Sequence, residues 1–203
     1  MKVGIIGGTG PFGRGLAIRL AAAGHDVTIG SRSAERAADT ASELGVRGAS
    51  NETVAGNGDM VVIAVDADAA IPTAKDLRTL FRAPVLSVAS QLEFVGKTAR
   101  PRPQGSLAEE IAEIVDVPVA AGLHSIGAGK LAHGRPEEDA FVCADDDGAK
   151  ELALALAGDV IAGRAVDCGG LHSARALEGM TAVMLNVNRR YKAHVGIRLT
   201  GLT

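Results

Sequence analysis

The residues with the clearest chemical use lie between Gly8 and Arg36. Gly8-Thr9-Gly10-Pro11-Phe12-Gly13 fits G-x-G-x-x-G and follows directly on the apolar run Val3 to Ile6. That order puts backbone N–H groups at a helix N-terminus, where a pyrophosphate binds. The first glycines permit a tight turn, the second removes a side chain that would block the phosphates, and the third lets helix and strand pack closely. The next strand, Asp26 to Gly30, ends not in the acid that takes a ribose 2′-hydroxyl but in Ser31-Arg32, with Arg36 one turn further. Hydroxyl and guanidinium donors there suit a ribose carrying an extra phosphate, so the pattern favours NADP(H) over NAD(H). The other reading is a helix N-cap with two solvated arginines, on a doubly wound protein whose turn binds nothing.

In an open parallel sheet the ligand lies beyond the carboxyl ends of the strands, at the switch point. Besides the glycine turn, Val65 to Asp68, Val88 to Gln91 and Leu123 to Ile126 should meet there. His124 has the clearest chemical potential: it could orient a substrate, donate to a carbonyl, or balance negative charge near a nicotinamide. A histidine holding a loop by hydrogen bonds is the alternative. His25, His133, His172 and His194 lack ligand spacing and read as surface or loop residues. No nucleophile elbow, zinc signature or phosphate-transfer motif is present, and no metal site is expected. What remains is hydride transfer, in which the cofactor supplies the chemistry and the protein the alignment.

The elements that must position these groups alternate strand and helix, as in a parallel sheet covered on both faces. A helix from Arg14 to Ala23 stops at Gly24, and one from Ala34 to Leu44 stops at Gly45. Val46 to Ala49 is a short strand, and Asp59 to Val65 is a strand buried on both faces. A helix follows over about Ala69 to Phe81, with Pro72 expected in its first turn and Asp68 available as N-cap. Val85 to Val88 is the next strand. Ser90 to Gly105 breaks the rhythm and reads as a functional or mobile loop. Ser106 to Glu109 fits a capping box opening a helix to about Val115. Val117 to Ala120, Ala140 to Cys143 and Ala165 to Cys168 read as strands. Between the last two lies a helix over Ala149 to Leu156, with Asp145 to Asp147 as its cap and dipole partners. Leu171 to Tyr191 is the longest helix, with Leu177, Met180, Met184, Val187 and Tyr191 in a stripe that Ala174 and Val183 widen. That stripe, with Leu185 on another side, packs on the sheet or forms a homodimer interface. The expected architecture is α/β: a Rossmann-type doubly wound, mostly parallel sheet with extra C-terminal strands and a long C-terminal helix. It forms one domain over 1–203, with 116–203 as an extension completing the sheet and the acceptor site.

Composition agrees with a globular protein of that size. The chain has 203 residues, 47% hydrophobic, with a formal net charge of −3. Neither a basic excess for nucleic acid nor an acidic tail is present. No apolar run approaches the roughly 18 residues of a membrane helix. A strand directly after Met1 leaves no room for a signal peptide, so a cytoplasmic location is expected. Cys143 and Cys168 read as small packing residues rather than a redox pair.

The opening KVGIIGGTGPFGRGLAIRLAAAGHDVTIGSR resembles the NADPH-dependent reductases of coenzyme F-420, the 8-hydroxy-5-deazaflavin hydride carrier. The resemblance continues through His124-Ser125-Ile126, FVCADDDGAK, Leu177-Glu178 and Leu185-Asn186, and so covers nearly the whole chain. It implies that Gly7 to Gly10, Gly30 to Arg32 and Arg36 bind NADP. It implies too that Ile126 packs near the reacting rings while His124 orients them, with coenzyme F-420 as co-substrate. Val65 and Ala89, at two strand ends facing the switch point, complete the expected cofactor contacts. The pattern's proline and aromatic residue after the fourth strand are replaced by Val65-Asp66-Ala67-Asp68, and later prolines by Val88-Ala89-Ser90-Gln91. Loops altered in this way also suit a small imine or carbonyl acceptor. A non-enzymatic NADP(H)-binding module is the third possibility.

Overall fold

A computed structural model describes residues 1–202. Its centre is β4 (Met60–Ile63), four apolar residues that are all buried. On one side β4 pairs with β1 (Lys2–Ile6), which pairs with β2 (Asp26–Ser31) and then β3 (Arg47–Ser50). On the other side lie β5 (Val85–Ser87) and β8 (Val119–Gly122), also parallel. β9 (Ala140–Ala144) then runs antiparallel to β8, and β10 (Ala165–Asp167) runs parallel to β9. The sheet order is β10-β9-β8-β5-β4-β1-β2-β3. The reversal of winding between β1 and β4 is the switch point, where a ligand crevice forms.

Strand residues alternate between two cores, as a period of two requires. Ile5, Met60 and Val62 join Leu16 and Leu20 of α1 (Pro11–Ala22) and Leu156 of α7 (Asp147–Val160). Ile6, Val61 and Ile63 face the opposite layer. There they meet Val54 of α3 (Asn51–Ala55), Leu77 of α4 (Ala67–Leu77), Ile111 of α5 (Leu107–Ala112) and Leu177 of α8 (Ala174–Tyr191). α6 (Ala128–His133) lies against α1, close enough that a Cβ on Gly15 would sit 2.8 Å from the Leu131 Cβ.

Several sequence expectations need correction. α1 begins at Pro11 rather than Arg14, because proline at the first helical position costs no hydrogen bond. Pro72 lies in the second turn of α4, which starts at Ala67; the N-cap is Asp66, not Asp68, and its side chain makes no capping bond. Residues 90–105 are not an irregular loop: β6 (Leu92–Val95) and β7 (Thr98–Pro101) form an antiparallel hairpin. The last helix is preceded by a single 3-10 turn at Leu171–Ser173. His25 lies in the loop between α1 and β2 as expected, its side chain largely covered and 2.8 Å from the Asp159 carboxylate. In the α8 stripe, Leu177 and Met184 are buried, whereas Val183 and Tyr191 are exposed. No helix among the described residues is long and apolar enough to cross a membrane.

Candidate active site

The glycine turn is built by backbone bonds. Gly8 donates to the Ile5 and Gly30 carbonyls at 3.2 and 3.1 Å, and Gly10 donates to Gly7 at 3.0 Å. Gly7 has φ +80°, and a Cβ there would lie 2.7 Å from both the Ala64 carbonyl and Val65 Cγ1. The third glycine of the motif is held just as closely. A Cβ on Gly13 would meet Gly7 O at 2.6 Å and Gly8 Cα at 2.7 Å. No side chain caps α1, so its first-turn N–H groups face outward without an intrahelical acceptor.

That turn opens into a cavity of about 670 Å³. Thr9, Gly10, Pro11, Phe12, Ser31, Arg32, Arg36 and Val65 line it, so these expected residues are brought together. Gly8 and Gly13 shape the turn beneath. Ser33 is the N-cap of α2 (Ala34–Leu44), its Oγ accepting from Arg36 N at 3.2 Å. Arg36 therefore sits in the first turn of a helix, where the macrodipole disfavours a cation. Among the described residues no carboxylate lies within ion-pair distance of Arg32 or Arg36. Two exposed guanidiniums without partners, one placed against its helix dipole, form a site that an anion would complete.

Asn51, at the start of α3, was not singled out from the sequence. It is 7% exposed, lines the same cavity, and its Oδ1 has no partner. A buried carbonyl oxygen without a donor is costly, and a nucleotide hydroxyl or amine would supply one. Turn, cationic pair and orphaned acceptor together fit a phosphorylated dinucleotide.

A second cavity of about 550 Å³ adjoins the first. Phe12, Ala64, Val65 and Asp66 belong to both linings. Its remaining wall comes from Asp68, the 88–92 segment, Phe94, Leu123, His124, Ile126, Thr181 and Leu185. Ile126, expected near the reacting rings, is found here; Ala89, expected among the cofactor contacts, also lines this cavity and not the first. Leu123 holds φ +65°, a conformation costing about 1–2 kcal/mol in a residue with a side chain. Its carbonyl accepts from Ile126 N at 3.0 Å, which closes the tight bend carrying His124. Asp66 and Asp68 are exposed at the rim, where water screens their charges.

His124 is 4% exposed, and burial pushes its pKa down to about 4. Its Nε2 lies 3.3 Å from the Ala89 carbonyl, which can only accept, so the ring proton sits there. Nδ1 is then an acceptor, and it has no partner. The neutral ring cannot balance a negative charge, and its one N–H is already committed. Tying one loop to another is what the geometry shows. The sign of the resulting pH dependence is definite. A folded pKa below the ordinary histidine value of 6.5 gives stability that is full above that pH and lost as pH falls toward 4. Urea unfolding at pH 7 and pH 4.5 should therefore show wild type losing about 2–3 kcal/mol more than H124Q.

Among the described residues no group of three or more His, Cys, Asp or Glu is placed to hold a metal ion. Cys143 and Cys168 are free thiols.

Site and fold together define a nicotinamide-nucleotide oxidoreductase scaffold, and the comparisons narrow it. A family model described as NADP oxidoreductase coenzyme F420-dependent matches residues 2–91. The F420-dependent NADP reductase of Methanothermobacter thermautotrophicus is 36% identical over 222 aligned residues, covering 100% of this chain and 96% of the relative. That of Methanocaldococcus jannaschii is 31% identical, covering 100% and 99%. A crystal structure from Arthrobacter sp. FB24, provisionally designated an F420-dependent NADP-reductase, superposes with TM-score 0.82 at 25% identity over 98% and 99% of the two chains. An imine reductase from Streptomyces aurantiacus shares the fold at TM-score 0.66 and 21% identity, over 95% of this chain and 62% of that one. The chain belongs to the F420-dependent NADP reductase family.

Proposed function

We propose that this protein transfers hydride between NADPH and the deazaflavin coenzyme F-420. The observation that carries the reading is the shared wall: Phe12, Ala64, Val65 and Asp66 line both cavities, at the switch between β1 and β4. A nucleotide held in the first cavity presents its nicotinamide to whatever occupies the second. Gly8, Gly10, Gly13 and the first turn of α1 hold the pyrophosphate. Ser31, Arg32 and Arg36 take the 2′-phosphate, and Asn51 accepts from the adenosine half. Val65 and Ala89 flank the nicotinamide, while Ile126 gives an apolar contact that excludes water from the transfer path. His124 fixes the Ala89 loop. The chemistry of the pair is direct: nicotinamide C4 gives two electrons and a proton as hydride, deazaflavin C5 receives it, and one solvent proton balances the reduced ring. Residues 116–203 complete the sheet and supply the acceptor side of the site.

NADPH carrying deuterium at the transferred C4 position tests this. The reading predicts that the deuterium appears in the reduced deazaflavin, even in ordinary water. Product labelled only when the solvent is deuterated would overturn it.

The surface of α8 supports a reading of the assembly. Val183, Leu185 and Tyr191 are exposed there, with Phe94 and Val95 exposed on the nearby hairpin. A homodimer that buries this face, in the cytoplasm, is the arrangement we propose. Light scattering should give twice the chain mass for wild type and the monomer mass for V183E/L185E. A wild-type monomer would contradict it.

A further inference from the structure

Helix α8 carries a buried carboxylate that hydride transfer does not use. Glu178 is 3% exposed, and among the described residues no lysine, arginine or histidine nitrogen lies within ion-pair distance of it. An unpaired buried carboxylate is expensive, and a glutamine or methionine of similar volume would pack there at lower cost. What Glu178 does hold is backbone. Its Oε2 accepts from Gln91 N and its Oε1 from Ala108 N, each at 3.4 Å. Gln91 belongs to the cavity-lining segment, and Ala108 lies in the first turn of α5, where N–H groups lack intrahelical acceptors. The β6–β7 hairpin is the chain between those two points, and its Leu92 and Phe94 stand in the cavity wall.

The same helix holds the hairpin a second time. Two turns beyond Glu178, the Asn186 amide accepts from Ala99 N at 2.9 Å and donates to Ala99 O at 2.8 Å. Between them, the Thr181 hydroxyl donates to the His124 carbonyl at 3.0 Å and so accepts from Ser90 Oγ at 2.8 Å.

We propose that Glu178 is a positioning residue for the acceptor. Its carboxylate clasps the root of the hairpin, holding Gln91 and the start of α5 together so that Leu92 and Phe94 form one fixed wall of the second cavity. The inference rests on reading that cavity as the acceptor site.

Its charge environment adds a second consequence. Arg102, before α5, lowers the Glu178 pKa only weakly, and Arg102 is itself paired with Glu110 at 2.5 Å. Glu109 of α5 is bonded to the Ser106 hydroxyl, and Arg175 of α8 donates to the Arg102 and Pro103 carbonyls. The 88–91 segment contributes no titratable group, and His124 is neutral. Burial dominates and pushes Glu178 up to about 7. Once protonated, the hydroxyl oxygen becomes a poor acceptor while the carbonyl oxygen still takes one N–H, and the clasp loosens.

E178Q and E178A test the proposal through acceptor kinetics, NADPH titration and hydrogen exchange. The expected result is an acceptor KM raised about tenfold, the equivalent of one ordinary hydrogen bond, with kcat and NADPH affinity within about twofold. Amide exchange should accelerate within residues 88–108 and nowhere else. Wild-type acceptor KM should rise as pH falls through about 7, whereas E178Q should be flat from pH 6 to 8. An unchanged acceptor KM, or equal losses for acceptor and NADPH, would overturn the proposal. Should wild type fail to reduce the deazaflavin at all, the functional reading falls separately. Exchange then decides for Glu178: faster exchange confined to 88–108 upholds the clasp, and unchanged exchange refutes it.

Discussion

Replacing Arg32 and Arg36 together with alanine should abolish the preference for NADPH over NADH. Each charged hydrogen bond to the 2′-phosphate is worth about 1.5–3 kcal/mol, so each substitution alone should weaken NADPH by roughly 10- to 150-fold. Both arginines address one phosphate, so the double variant should lose less than the product of the single effects. NADH lacks that phosphate and should bind within about twofold of wild type. The folded structure should tolerate the change, since neither guanidinium has an ion-pair partner to orphan. Removing Arg36 even relieves a cation from the first turn of α2. Calorimetric titration with both nucleotides reads the result. Equal losses for NADPH and NADH would show that the arginines do not read the 2′-phosphate.

Gly13→Ala should produce the complementary pattern, with both nucleotides lost together. The added Cβ would sit 2.6 Å from Gly7 O and 2.7 Å from Gly8 Cα. Both are backbone atoms of the turn, so no side-chain rotation relieves the contact. Either α1 withdraws from β1 or the turn moves. Overpacking of this kind costs about 1–3 kcal/mol of stability. The displaced N–H groups lose their aim at the pyrophosphate, for which a further 100-fold loss in affinity is expected, on the order of one or two charged hydrogen bonds. Thermal unfolding separates the two contributions. Wild-type affinity for either nucleotide in G13A would mean that the pyrophosphate does not rest on this turn.

The glycine turn and the strand ends beside it are legible in the sequence because their signals are local. Ser33 caps α2 and Gly45 ends it in the left-handed conformation, so that helix has the boundaries that capping chemistry predicts. The glycine turn, Ser31 and Arg32 follow from strand ends next to one another in a parallel register. The acceptor half was harder to read, because its determinants are long-range. Residues 92–101 are a hairpin whose strands are four residues each, and whose return strand is fixed by Asn186 from the far end of the chain. Nothing in Leu92-Glu93-Phe94-Val95 announces that partner.

The antiparallel entry of β9 beside β8 was equally silent, since apolar runs do not encode direction. Asn51 carries no sequence signal of its own, and only burial with an unpaired oxygen sets it apart in the first cavity. His124 was singled out for its chemistry, yet burial makes it a neutral tie to Ala89. Leu123, in a conformation rare outside glycine, carries no sequence signal at all. The wall of the second cavity is hard to read for one reason: α8 ties it together through polar contacts that reach segments 57 to 91 residues away.

The decisive property of the protein is what accepts the hydride in the second cavity. Mixing the protein with NADPH and oxidised coenzyme F-420 tests that most directly. The visible absorbance of the deazaflavin should bleach in step with NADPH oxidation, one for one. NADPH that binds tightly while the deazaflavin absorbance stays unchanged would contradict it.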